Sequence, residues 1–583
     1  MTVFDSSARS RRPPANDDAA AGDSTRAAKG MPGPHDAGPD DLAGPEHARS
    51  TRHAGPDDLA GPEHAQAAAD AARPEHVRSG DDAAGPAMSG SDRELLRLLA
   101  AWLPAQRWFP GRGANLAGIT VVSDVSLQSG EPALRHLIVE AELRSGPARF
   151  QVLVGYRRQL PGSLDAALIG YVDDAACYDA LHDPELADVL LRGITAQRLA
   201  DNVRFVHEAG APPLSAATPG NARAPRTEPA PATAQADGSA PTLRSRVLSA
   251  EQSNTSLIFG DRAILKMLRR LFPGANPDLE VADALARLGS ARVAAPYGWI
   301  ETDLDGEPVL LGVLSQFLAG ASDGWTLALA SLHRMYARHE AYGQEYLTER
   351  VRSSDDRNEA AASPAAAGLP FTDEARLLGQ ATAELHADLA EAFGSEDMSR
   401  TELASLTAGM QHKLNEAIAV VPVLEEYEQR IRSAYDAAAE LERPVAVQRI
   451  HGDYHLGQVM RAGQGWVALD FEGEPAVPLA IRRAPAPALR DVAGMLRSFD
   501  YAARHQLVGQ RAAEPVAAIA DQWVRQCQAA FCAGYAAGGG RDPDGHGTLL
   551  RALTLEKAVY EVVYEYRHRP SWLSIPLDYV ATA

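Results

Sequence analysis

The stretch IHGDYHLGQVMRAGQGWVALDFEGEP, Ile450–Pro475, gathers His451, His455, Asp453, Asp470, Glu472 and Gln458 into one window. Two chemistries compete for it. An extended His-x-Asp-x-His places alternate side chains on one face, the pattern of a metal-dependent hydrolase. An aspartate in a His-Gly-Asp loop, an amide five residues on, and an Asp-Phe-Glu behind the apolar run WVAL suit phosphoryl transfer. There a carboxylate orients the accepting hydroxyl and takes its proton, and carboxylate and amide oxygens hold Mg²⁺ on the phosphates.

Working upstream, the second reading gains its missing parts. Lys266 ends a strand-like run, and Glu280 follows fourteen residues later on a helix that opens near Asn276–Pro277. A lone strand lysine is ordinarily a solvated charge. In this order it supplies the phosphate-neutralising cation, with Glu280 as its helix anchor, and a metal hydrolase has no use for either. The loop Glu251–Ser256 lies between two strands before Lys266. It has no glycine, so Ser253, Asn254 and Thr255 offer hydroxyls and an amide to phosphate instead of a bare backbone cradle. His451 and His455 are then expected to hold the loop by hydrogen bonds.

The rest of the chain sets the frame. It has 583 residues, enough for three or four domains. The net charge of -21 argues against a nucleic-acid or anionic-membrane partner. Three cysteines without a CxxC spell neither a disulfide framework nor a cysteine metal site. No leader-like apolar segment and no run of about 18 apolar residues occurs, so a cytoplasmic protein is expected. Residues 1–91 are rich in Ala, Gly, Pro, Asp and His, and AGPDDLAGPEHA occurs twice, at Ala37–Ala48 and Ala54–Ala65. Each copy has one leucine, too little for a repeat core, so a disordered tail is expected. Its deletion should leave turnover intact.

Order begins near Asp92. RELLRLLAAWL (Arg93–Leu103) has helical spacing with Ser91 or Asp92 as N-cap, and strand-like runs follow. Residues 92–208 read as a small α+β unit. Residues 209–243 are a Pro/Ala-rich linker, 244–322 a β-rich lobe ending in a hinge, and 323–583 a helical lobe carrying the site. A second flexible insertion is read at 353–368.

The strings WLPAQRWFPGR, QVLVGY, EQSNTS, AILK with NPDLE, VQRIHGDYHLGQVMR, DFEGEPAVPL, LRDVAGMLRSFDYAA and EKAVYEVVYEYRHRPSWLSIPL resemble the aminoglycoside-phosphotransferase-like kinases. Within these the chain looks like the bacterial maltokinases, over residues 93–580 apart from the two insertions. The resemblance implies an α+β, bilobal protein-kinase-like fold with residues 92–208 as an N-terminal cap. It implies ATP and Mg²⁺ as cofactors and maltose as the acceptor, giving maltose 1-phosphate for α-glucan synthesis. Asp453 would orient the anomeric hydroxyl, and Gln458 and Asp470 would hold Mg²⁺. Lys266 would meet the ATP phosphates with Glu280 as anchor, and Gln316, Phe317 and Leu318 would form the hinge at adenine.

For the sugar, Lys557, Tyr560 and Tyr564 fall at i, i+3 and i+7 on one helix face, a donor and two aromatic platforms. Trp572 could stack on sugar or pack internally, and Arg490 and Asp491 are expected to brace the catalytic loop. Two alternatives stay open. One is a kinase of glucosamine or an aminoglycoside, and the neutral-to-basic face weakly favours a neutral sugar over these. The other is a non-catalytic scaffold, which the presence of Lys266, Asp453 and Asp470 disfavours. A monomer is favoured.

Overall fold

The computed structural model describes residues 89–583 except 111–115, 117–118, 144–145, 213, 215–242, 249–252, 343–370, 475–476 and 509–513. The expected tail, most of the first linker, the 353–368 insertion and the start of the 251–256 loop therefore lie outside the described residues.

The chain opens with helix α1 (Gly90–Trp102). Its cap is Ser89, whose hydroxyl accepts from the Asp92 amide at 3.0 Å, so the helix begins before the expected Ser91 or Asp92. Ser91 instead hydrogen-bonds Asp173. Strands β1 (Ile119–Gln128), β2 (Ala133–Leu143), β3 (Gly146–Arg157), β4 (Leu168–Val172) and β5 (Ala175–Asp179) form an antiparallel sheet in the order β1-β2-β3-β5-β4. Helix α2 (Pro184–Thr195) follows, capped by Asp183.

The second sheet takes β6 (Leu199–Ala200), β7 (Val203–His207), β8 (Ser245–Val247), β9 (Asn254–Phe259) and β10 (Ala263–Leu268). After β11 (Arg270–Leu271) and α3 (Pro277–Arg287) it is completed by β12 (Pro296–Leu304) and β13 (Glu307–Gln316). Its order is β6-β7-β12-β13-β10-β9-β8. The Lys266 strand β10 is thus hydrogen-bonded on both edges. Strand β7, read from sequence within the 92–208 unit, pairs with β12 in this second sheet.

The two sheets are bonded together. Strand β11, just after β10, pairs with β3 of the cap sheet (Arg270↔Phe150, Leu271↔Arg149). Alternation along β2 and β3 buries both faces. Leu137, Val139, Phe150, Val152 and Val154 pack towards α1, while Leu134, Ile138 and Leu153 share a core with α2, β10 and β13.

The remainder is mostly helical: β14 (Ser322–Asp323), α4 (Gly324–Tyr342), α5 (Phe371–Phe393), β15 (Ser395–Met398), α6 (Arg400–Val420), α7 (Glu428–Ala439), β16 (Val445–Gln448), β17 (Val459–Ala462), β18 (Gly465–Ala468), α8 (Leu479–Arg482), α9 (Leu489–Arg504), α10 (Glu514–Ala537), α11 (Gly547–His568) and α12 (Ser574–Thr582). Helices α5 and α10 cross where a Cβ on Gly379 would lie 2.0 Å from the Phe531 carbonyl oxygen and one on Gly534 1.9 Å from that of Arg376. The architecture is the expected α+β, two-lobed one with an N-terminal cap. Among the described residues no helix is long and apolar enough to cross a membrane.

Candidate active site

Three elements converge on Lys266. Strand β10 carries it, α3 brings Asp278 in its first turn, and the turn after β18 brings Asp470 and Glu472. The lysine Nζ lies 3.0 Å from Asp470 Oδ1, 3.9 Å from Glu472 Oε1 and 4.0 Å from Asp278 Oδ2. Asp470 adopts a left-handed backbone (φ +65°), a local strain tolerated where the surroundings impose it. The Phe471 amide donates to Asp278 Oδ1 at 2.8 Å and ties the Asp-Phe-Glu turn to α3. Gln458 Nε2 donates to Asp470 Oδ2 at 3.4 Å.

One ammonium faces three carboxylates, and the protonation equilibria show the excess negative charge. Burial works against the Asp470 carboxylate, yet Lys266 outweighs it and holds the group below its usual range. Burial pushes Asp278 upward, Lys266 only partly opposing it and Asp470 adding to it. Glu472 rises to about 7, chiefly through burial, with Asp470 and Asp278 adding to it against Lys266. Ligand atoms of Asp278, Asp470 and Glu472 lie within 4.8 Å of one another. Such hard oxygen donors, with the Gln458 amide alongside, fit a divalent cation such as Mg²⁺.

The predicted anchor is displaced by two residues. Glu280 does not face Lys266. Its carboxylate takes Arg483 at 2.6 Å and Arg449 at 3.2 Å. Two residues along a helix rotate a side chain by about 200°, so Asp278 and Glu280 serve opposite sides of α3.

The catalytic loop is held from below by one face of α9. Asp491 accepts from the His451 and Gly452 amides at 2.8 and 2.9 Å. Ser498 Oγ accepts from the Leu456 amide at 3.0 Å. At Gly494 a Cβ would lie 2.6 Å from the Tyr454 carbonyl oxygen, so glycine lets the loop sit on the helix. His386, on α5, links Asp491 (3.1 Å) to the Tyr535 hydroxyl (2.8 Å). Nothing in the α5 pattern marked His386 beyond a histidine among apolar neighbours. Arg490 pairs with Glu556 of α11 at 3.0 Å.

Both motif histidines make loop hydrogen bonds. His451 Nε2 is 2.8 Å from the Leu469 carbonyl, so it carries the proton and leaves Nδ1 to accept from the Asp453 amide at 3.4 Å. His455 Nδ1 accepts from the Gly457 amide at 3.1 Å, which puts its proton on Nε2, 3.9 Å from Asp453 Oδ2. Burial lowers His455 to about 4, so that ring is neutral at pH 7. Asp453 stays ionised. Burial opposes its charge, and the Lys557 ammonium outweighs it.

Helix α11 brings Lys557 to this carboxylate, with Nζ 3.3 Å from Asp453 Oδ1 and 2.6 Å from Glu474 Oε1. The ammonium lies 5.0 Å from the Tyr560 ring centre, and Tyr560 and Tyr564 are 6.3 Å apart. Tyr560 is 39% exposed, as a platform for a ligand must be. Glu474 was not singled out from sequence, although it stands in the motif window. Trp572 packs on Arg569, 4.1 Å from its ring centre, and on His505.

On the nucleotide side, Ser253 is exposed and lies 3.3 Å from Asn254 Nδ2. Thr255 is not a loop residue. It lies in β9, buried, and its hydroxyl accepts from Arg269 Nε at 2.8 Å. Pairing places Ser256 opposite Lys266, so Ser256 and Asn254 share the lysine's face and Thr255 takes the other. At the expected hinge the Gln316 and Phe317 amides are tied to the Ala295 and Arg262 carbonyls at 2.9 and 3.0 Å, and the Leu318 carbonyl accepts from Ala321.

Comparison with known proteins bears on the family and the fold. The family model described as the maltokinase N-terminal cap domain matches residues 102–183. A glucosamine kinase from Streptacidiphilus jiangxiensis is 32% identical over 352 residues, 58% of this chain and 73% of that protein. A glucosamine kinase from Mycolicibacterium smegmatis is 28% identical over 341 residues, covering 57% and 77% of the two chains. A solved glucosamine kinase in complex with glucosamine, ADP and inorganic phosphate shares the fold, with a TM-score of 0.54 at 24% identity over 83% of this chain and 98% of that one.

Proposed function

The chain belongs to the maltokinase-like kinases of the aminoglycoside-phosphotransferase type, and from that premise we propose that it transfers the γ-phosphoryl group of ATP to the anomeric hydroxyl of maltose. Kinase activity on a sugar or amino sugar is common ground with its relatives. The choice of a neutral sugar rests on one observation: a lysine, Lys557, sits 3.3 Å from the acceptor carboxylate Asp453 with an exposed tyrosine beside it. An ammonium-bearing sugar would have to share that place with a fixed cation. A hydroxyl-bearing one gains a donor and a stacking surface.

In this reading Lys266 meets the phosphates, Asn254 faces them from β9, and the hinge at Gln316–Leu318 receives adenine. Asp470, Gln458, Asp278 and Glu472 would hold Mg²⁺, with the Gln458 amide turned to present its oxygen. Mg²⁺ there supplies charge neutralisation for the phosphates. Asp453 accepts a hydrogen bond from the anomeric hydroxyl, aims its oxygen in line and takes its proton as the bond to phosphorus forms. Its lowered basicity suits a loose transition state, in which the proton leaves late and positioning matters most. The product, maltose 1-phosphate, keeps an activated anomeric carbon and suits an α-glucan-building step.

Glucosamine is the second reading, favoured by the relatives that carry that name. Phosphate transfer from Mg²⁺-ATP to maltose, glucose, glucosamine and kanamycin, with products identified by phosphorus and proton NMR, separates the two. Maltose phosphorylated at C1 is expected. Asp453→Asn should lower that rate by about 10²–10⁴-fold while keeping the melting-temperature rise given by Mg²⁺-ATP. Turnover confined to glucosamine would move the acceptor to the second reading.

A further inference from the structure

Glu474 has no part in the motif chemistry, yet it makes the shorter of the two bonds to Lys557. The ammonium lies 2.6 Å from Glu474 Oε1 and 3.3 Å from Asp453 Oδ1, with the Tyr560 ring 5.0 Å away. Three separate segments meet there: the catalytic loop, the loop after Asp-Phe-Glu, and α11. We infer that Glu474 and Lys557 form a charge pair that sets which acceptors Asp453 can serve, admitting sugars with a neutral group beside the reacting hydroxyl and rejecting those with an ammonium. This rests on the reading of the α11 face as the sugar site.

The argument is electrostatic. In an amino sugar such as glucosamine the ammonium sits on the carbon next to the anomeric one. With the anomeric hydroxyl hydrogen-bonded to Asp453, that ammonium enters the neighbourhood of the Lys557 ammonium, and like charges in a half-buried site repel strongly. A hydroxyl in the same place accepts a hydrogen bond from Lys557 instead. Glu474 acts through the lysine. By drawing the cation towards itself it leaves Asp453 with lone pairs for the acceptor, so it is a positioning residue.

The test uses the full chain. Steady-state kcat and KM, and calorimetric affinities in the presence of Mg²⁺-ADP, are measured for glucose and glucosamine, which match in size, and for maltose. Lys557→Met should raise the glucosamine-to-glucose ratio by about tenfold or more in both readouts, whereas Lys557→Arg preserves it. Glu474→Gln should shift the ratio the opposite way and lower kcat for every sugar, with KM for ATP unchanged, because Lys557 then settles on Asp453. A folded Lys557→Met protein with an unchanged ratio overturns the inference, as does Glu474→Gln with unaltered kcat and ratio. If Lys557→Met does not fold, the sign of the Glu474→Gln ratio decides. The wild-type preference between maltose and glucosamine judges the proposed substrate separately, since the inference concerns only how the ratio moves.

Discussion

Asp278 and Glu280 stand two residues apart on α3 and do different work. Asp278→Asn removes a negative charge from the group around Lys266 while leaving an amide oxygen that can still accept from the Phe471 amide. Its kcat and Mg²⁺ affinity should each fall by about 10- to 100-fold. Glu280→Gln leaves that group intact and removes the negative charge that faces Arg449, a side chain only 7% exposed. It should cost about 1–3 kcal/mol of stability, seen in chemical denaturation, with the Mg²⁺ dependence preserved. The reverse pattern would restore Glu280 as the lysine's anchor. At this scale spacing alone anticipated proximity, as for Gln458 and Asp470, which the fold brings within 3.4 Å of each other. The sequence was not legible where rotation decides. Which acid of NPDLE meets Lys266 depends on the roll of α3 about its axis, and whether Thr255 faces the cleft depends on the phase of β9.

Elements meet through contacts that single residues decide. Helices α5 and α10 touch backbone to backbone at Gly379 and Gly534. Gly379→Ala forces them apart, and its loss should be at least about 1–3 kcal/mol, although alanine is the better helix former. Between the cap and the Lys266 lobe a polar link runs beside the shared apolar core. Gln151 donates to the Leu268 and Leu311 carbonyls, so its amide oxygen must accept from His136 Nε2, 2.9 Å away. Burial holds His136 near 4, below its ordinary 6.5. The unfolded chain therefore binds the proton first on acidification. The stabilisation is complete above about pH 6.5 and is lost as pH falls towards 4, on the order of 3 kcal/mol at the limit. His136→Gln should flatten the melting-temperature slope between those pH values, and an unchanged slope would remove the histidine from the account. Strand runs and long helices were readable from period alone. Partnership was not: NVRFVHEA reads as a strand, but nothing in it says that β12, nearly a hundred residues later, is its neighbour.

For the whole molecule, composition sets the N-terminal stretch apart. Residues 1–88 carry almost no apolar surface to bury, and a chain lacking them should keep the wild-type kcat, KM and melting temperature. A large loss in that truncation would assign them a part in the site. The two-lobed plan was legible because the lysine strand, the hinge, the catalytic loop and the Asp-Phe-Glu turn occur in an order that only one kind of cleft uses. The seam between cap and lobe was not, since it depends on two residues of β11 pairing back to β3.

That seam has a mechanical meaning. A sheet hydrogen-bonded into the strand that follows Lys266, and bolted by Gln151 to β10 and β13, is tied to that lobe through backbone and side chain alike. The cap is a handle. Whatever turns the lobe that carries Lys266 swings the cap with it, so a dye on the cap and another on α10 would report that motion from outside the cleft. A protein that grasped the cap could brake the enzyme without ever touching sugar or nucleotide.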